Sequence, residues 1–150
     1  MNELEEILKY LKEKKYRLTK KRNLILYFFL NSEKPLCVRE IQDMFLKLNI
    51  SINKTTIYRE LFFLKKEGII REVKLIDNVM RYEITPENHY HHLVCLNCKK
   101  IENVILEGDL DKQEKMILKT KKFKILYHIL EFYGVCSKCE KRSFHTKNIS

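Results

Sequence analysis

The chain has 150 residues, enough for one modest domain or two small ones, and none of its apolar runs nears the roughly 18 residues that a membrane helix needs. Its 30 Lys and Arg side chains against 20 Asp and Glu give a formal charge of +10, which excludes an acidic solvating segment and suits a polyanionic partner such as double-stranded DNA. The acidic start, MNELEEILKY, lacks the basic end and apolar stretch of a signal peptide, so a cytoplasmic location is expected.

Residues 3–15 place Leu4, Ile7, Leu8 and Leu11 at helical spacing, and Thr19 then caps a second helix carrying Leu24, Ile25, Phe28 and Leu30. Between them lies the densest basic run, Lys14, Lys15, Arg17, Lys20, Lys21 and Arg22. A third helix is expected over 38–48, with Ile41, Met44, Phe45 and Leu48 on one face. Asn53 or Ser51 caps a fourth, KTTIYRELFFLKKEG, which turns Ile57, Leu61 and Leu64 inward and stops at Gly68. Its first turns expose Lys54, Thr55, Thr56, Tyr58 and Arg59, side chains that bond base edges and phosphates, so it is the candidate recognition helix.

IIREVKLI and VMRYEI then read as two strands about an Asp77-Asn78 turn. Helices followed by such a hairpin suggest a winged helix; the generic alternative is a small helical bundle with an appended hairpin. Residues 85–88 read as a hinge, since every histidine and all but one cysteine lie beyond them. The expected organisation is therefore a DNA-binding domain over 1–84, a hinge over 85–88 and a second domain over 89–150. That domain reads as strand (90–95), knuckle (95–98), strand (100–106), helix (109–121) and strand (123–134), with a frayed tail after Lys141, so the fold class is α+β.

Four of the five cysteines form two C-x-x-C pairs, Cys95 with Cys98 and Cys136 with Cys139. Two intervening residues let both thiolates of a tight turn reach one tetrahedral zinc, and two such knuckles close a structural rather than catalytic Zn2+ site. Buried free cysteines or a redox pair are the alternative. Cys37 precedes a helix, either as a small core residue or as a thiol activated by the helix start. His89 and His91 share one face of an extended strand and His92 takes the other; with His128 and nearby acids they suit a second divalent ion, Fe2+, Zn2+ or Mn2+. No H-E-x-x-H and no H-x-E followed by P-C-x-x-C occurs, so neither an enzyme nor a small-molecule substrate is expected.

TKKRNLILYFF, NKTTIYRELFFLKKEGII, RYEIT, NHYHHLVCLNCKKI and YHILEFYGVCSKC together resemble the ferric uptake regulator superfamily over nearly the whole chain. The resemblance implies a winged helix joined to an α+β dimerisation domain, acting as a homodimer, or a tetramer, that represses genes at an AT-rich palindromic operator when divalent metal is bound. It implies that Tyr58 and Arg59 enter the major groove and Arg17 the minor groove, with Lys54, Thr55 and Thr56 beside them. It places zinc on Cys95, Cys98, Cys136 and Cys139, and a second metal on His89, His91, Asp111 and His128. The family's hinge site is incomplete: Glu83 and His92 match and Glu102 matches with a gap, but Pro35 and Tyr90 stand where two histidines are expected. A peroxide- or redox-responsive member, or one that binds DNA constitutively with structural metals only, is the alternative reading.

Overall fold

A computed structural model of the protein describes residues 2–85, 90–106, 109–126 and 128–146. Helix α1 (Glu3–Glu13) opens on a capping box in which Asn2 accepts from the Glu5 amide at 2.9 Å and the Glu5 carboxylate accepts from the Asn2 amide at 3.0 Å. Thr19 caps α2 (Lys20–Leu30) by accepting the Arg22 amide at 3.1 Å. After α3 (Val38–Lys47), α4 (Lys54–Lys66) takes its cap from Asn53, not Ser51: the side chain accepts the Thr56 amide at 2.8 Å. Gly68, at φ 71°, turns left-handed after α4, where a Cβ would be strained, and lets the Ile69 amide reach back to the Leu64 carbonyl.

The apolar stripes read from the sequence meet in one core. Leu11, Ile25, Leu26, Ile41, Phe45, Ile57, Leu61 and Leu64 are buried, each aliphatic side chain contributing about 1.5 to 3 kcal/mol. Against them lies a sheet of β2 (Ile70–Lys74) and β3 (Met80–Ile84), paired antiparallel from Ile70 opposite Ile84 to Lys74 opposite Met80. Asn78 makes the turn at φ 57°, and the Asp77 carboxylate accepts from the Val79 amide at 3.1 Å and from Arg81 at 2.6 Å. A two-residue strand, β1 (Leu36–Cys37), joins the other edge of β3; it is too short to carry an alternation signal in sequence. Three helices and a three-stranded wing make a winged helix with α1 added in front.

The chain divides into two compact units, Met1–Thr85 and Pro86–Ser150. The second contains β4 (His91–Cys95), β5 (Ile101–Val104), α5 (Asp109–Lys121), β6 (Glu131–Gly134) and α6 (Ser137–Thr146). Its sheet runs β5-β4-β6, with β4 antiparallel to β5 and parallel to β6. Two expectations are corrected here. The long strand over 123–134 is regular only from Glu131: Phe123, Leu126 and Ile129 are exposed and no described strand pairs with them. The tail is helical beyond Lys141, because the second knuckle leads directly into α6.

Arg22 stands in the basic run yet serves the core. Its Nε donates to Glu60 at 2.7 Å, its Nη1 donates to the Arg17 carbonyl at 2.7 Å, and its guanidinium lies 3.8 Å from the Phe63 ring centroid, clamping α2 to α4. With 11% of the side chain exposed, the pair is largely desolvated. Arg22→Met keeps the stem but strands the Glu60 carboxylate, and is expected to lower the unfolding free energy in urea by about 2 kcal/mol. An unchanged midpoint would show that the clamp contributes nothing.

Candidate metal centre and nucleic-acid face

The parallel register of β4 and β6 sets Cys95 opposite Gly134, so both knuckles leave the sheet at the same end. In the first, Lys99 at φ 62° folds the chain back, its amide donating to the Cys95 carbonyl at 2.9 Å. In the second, the Cys136 carbonyl accepts from the Cys139 and Glu140 amides, both at 2.9 Å, as the first turn of α6. The Leu96 amide donates to the Gly134 carbonyl at 2.8 Å and fastens one knuckle to the other.

The four sulfurs lie within 4.8 Å of one another, the one such cluster of metal donors among the described residues. Zinc–sulfur bonds of about 2.3 Å in a tetrahedron require sulfurs about 3.8 Å apart. Cys98 and Cys136 are at 3.8 Å, far beyond disulfide distance. The thiols also hold unequal claims on their protons. The Cys136 amide, donating to the Cys95 sulfur at 3.3 Å, together with the Cys98 and Asn97 amides, brings Cys95 down to about 6. Hydrogen bonding to Cys136, then burial, pushes Cys139 up to about 12. One thiol of the cluster thus ionises readily while another is held protonated; zinc binding would displace the Cys139 proton, and the donor set and its spacing fit a structural zinc.

Of the second predicted site, the structure brings His91 and His128 together, ring centroids 5.4 Å apart and tilted by 30°. His91 is buried on β4, and His128 lies between α5 and β6. His89 lies outside the described residues. His128 Nδ1 shares a 2.6 Å hydrogen bond with Glu114 Oε1, and Asp111 is exposed one turn earlier on α5. Both acids sit on one face of α5 at i, i+3 spacing.

The residues expected at the hinge are otherwise engaged. Glu83 is buried in the wing opposite Arg71 and ion-paired with it at 2.7 Å. His92 is buried and meets the edge of the Tyr90 ring at 5.7 Å. Pro35 is fully buried and has no donor to offer. Glu102 is an exposed partner of Lys100, and its register opposite Leu93 puts it on the other face of the sheet from His92, whose own partner is Asn103.

On the first unit, Lys54, Thr55, Tyr58 and Arg59 point outward from the start of α4, with Thr56 half-buried beside them and Arg17 exposed just before α2. The α3 and α4 starts and the wing enclose a cleft of about 220 Å³ lined by Cys37, Arg39, Lys54, Tyr58 and Met80. Cys37 is half-buried at this cleft, its amide donating to Glu40 at 2.8 Å. Arg39, in the first turn of α3, is exposed at the same cleft.

The description of the ferric uptake regulator family matches residues 13–133. The peroxide operon regulator of Bacillus subtilis is 32% identical over 96% of this chain and 98% of its own length, and the ferric uptake regulation protein of the same organism is 31% identical over 92% and 95%. Among solved structures, the Helicobacter pylori ferric uptake regulator superposes with a TM-score of 0.78 at 24% identity, covering 93% of this chain and 95% of that one, a likeness of fold.

Zinc removal is expected to unfold the second unit selectively. Prolonged chelation, or Cys136→Ser, should abolish protease resistance over residues 90–146 while the helices of the first unit remain protected in limited proteolysis. Equal protection of both units after complete zinc loss would remove the metal from the account of the fold.

Proposed function

The chain belongs to the ferric uptake regulator family of metal-responsive transcription regulators, which bind DNA, form dimers and are not enzymes, and we propose that it is a metal-dependent repressor of an AT-rich palindromic operator. The observation that carries this reading is the outward face of α4, where Lys54, Thr55, Tyr58 and Arg59 stand clear of a core filled from its other side. Residues 1–84 act as the DNA-binding domain, 85–88 as the hinge and 89–150 as the metal-binding dimerisation domain, in the cytoplasm. Tyr58 and Arg59 read base edges in the major groove, Arg17 reaches the minor groove, and Lys54, Thr55 and Thr56 hold phosphates or base edges.

A homodimer is supported by the apolar surface that the second unit leaves uncovered: Leu126 is 82% exposed and Ile129 77%, and both fall in the strand-like segment that lacks a partner within the described chain. Two copies then set the spacing of the operator half-sites.

Regulation rests on the second metal. His91 and His128 bind Fe2+, Zn2+ or Mn2+, with His89 and Asp111 as further ligands. Glu114 holds His128 through Nδ1, which makes Nε2 the metal-binding nitrogen and fixes the ring. Metal favours the DNA-competent arrangement only by the difference of its affinities for the two states. The ion-paired Glu83 and the Pro35 and Tyr90 that stand in for hinge histidines support sensing at His91 and His128 rather than at the hinge. The 32% identity to a peroxide operon regulator supports a second reading, in which oxidant governs DNA binding.

Two experiments test these assignments. Arg59→Ala is expected to cost about 1 to 3 kcal/mol on operator and to relax base preference; equal losses on operator and random duplex would refute its role. His91→Ala should abolish the metal dependence of operator binding while zinc stays on the four cysteines, and Glu114→Gln should weaken the second metal about 10- to 100-fold. Metal dependence that survives both changes, or its replacement by peroxide dependence, would overturn the site assignment.

A further inference from the structure

Residues Thr55, Tyr58, Arg59 and Phe62 recur along α4 at intervals of three, one and three, so all four lie on one helix face. The same spacing carries the base-reading side chains of a homeodomain recognition helix. Phe62 is the most exposed aromatic ring of α4, 68% against 53% for Tyr58. Its neighbour Phe63 turns the other way, edge-on to the Tyr16 ring at 4.8 Å and under the Arg22 guanidinium, and the buried side of α4 is filled by Ile57, Leu61 and Leu64. The core therefore does not account for a phenylalanine at 62, and leaving such a ring in water forfeits the gain of burying it.

The surroundings of the ring indicate what covers it. Arg59 lies one turn before Phe62 and Lys66 one turn after, both exposed, so an apolar side chain stands between two cations. A major groove offers that combination, phosphates along its walls and thymine methyl groups on its floor. Phe62 lies about 10 Å along the helix axis from Thr55, the length of roughly three base-pair steps.

We propose that Phe62 is a further specificity-determining residue, whose ring packs on thymine C5-methyl groups in the major groove and extends base readout one helical turn beyond Tyr58 and Arg59. This rests on the reading above that α4 enters the groove. Preference for AT-rich sequence then has a direct apolar component as well as a contribution from groove shape.

The test replaces each thymine of the tightest-binding selected duplex by uracil, which removes only the methyl group. Affinities are measured with the zinc-loaded full chain and saturating Mn2+, for the unmodified protein, Phe62→Ala, Phe62→Leu and Arg59→Ala. The unmodified protein is expected to lose about fourfold at one or two thymines, the worth of one buried methyl group. Phe62→Ala should bind the thymine duplex correspondingly less well and be indifferent to uracil at those positions alone, with Phe62→Leu intermediate. A Phe62→Ala profile identical to that of the unmodified protein overturns the proposal, as does a change in oligomeric state with the uracil profile intact, which would assign the ring to a protein contact. If Arg59→Ala also leaves the operator-to-random ratio unchanged, the placement of α4 itself fails; if Arg59 matters and the Phe62 profile is flat, only this inference does.

Discussion

Four thiols within 4.8 Å of one another cannot all be thiolates unless a cation sits among them, and the second unit is built around that requirement. Val94, Cys95, Ile101 and Cys139 are its buried hydrophobic residues among those described, and two of the four are metal donors. So little apolar burial does not hold three short strands and two helices against chain entropy. The parallel pairing of β4 with β6 brings the knuckles together, and the metal in turn locks that pairing, which has no hairpin to hold its register. The first unit has no such dependence, since its helices share a continuous core.

This division of labour has a functional consequence. A core-stabilised winged helix supplies a rigid reading surface, while in the proposed function the metal-stapled unit supplies histidines whose occupancy changes with metal supply. The closed thiolate site is suited to permanence and the imidazole and carboxylate site to exchange, because softer thiolates hold zinc firmly whereas borderline donors accept several divalent ions. The proposed function thereby gives sensing and folding to different metals in one small domain.

Much of this was legible in the residues themselves. The helical stripes, the Thr19 cap, the Gly68 stop and the Asp77-Asn78 turn specify the winged helix locally, and doubled C-x-x-C spacing announced the zinc cluster. What escaped were features decided by partners distant in sequence. The two-residue β1 exists only because β3 offers it an edge. The segment before Glu131 carries a strand pattern but has no described strand to pair with, and α6 forms because the second knuckle starts a helical turn. The pairing of Glu114 with His128 depends on the route of the chain after α5, which no local pattern encodes.

The central claim, that metal at His91 and His128 and operator DNA stabilise one and the same state, has a thermodynamic signature that does not depend on which metal serves in the cell. Whatever factor metal adds to DNA affinity, DNA must add to metal affinity. Calorimetric titration of Mn2+ into the zinc-loaded chain, alone and in the presence of saturating operator duplex, measures this directly. The account predicts affinity about 5- to 150-fold tighter with the duplex, and equal loss of that gain in His128→Ala. Identical Mn2+ affinity in the two titrations would mean that the second metal does not govern DNA binding, and would contradict the account at its centre.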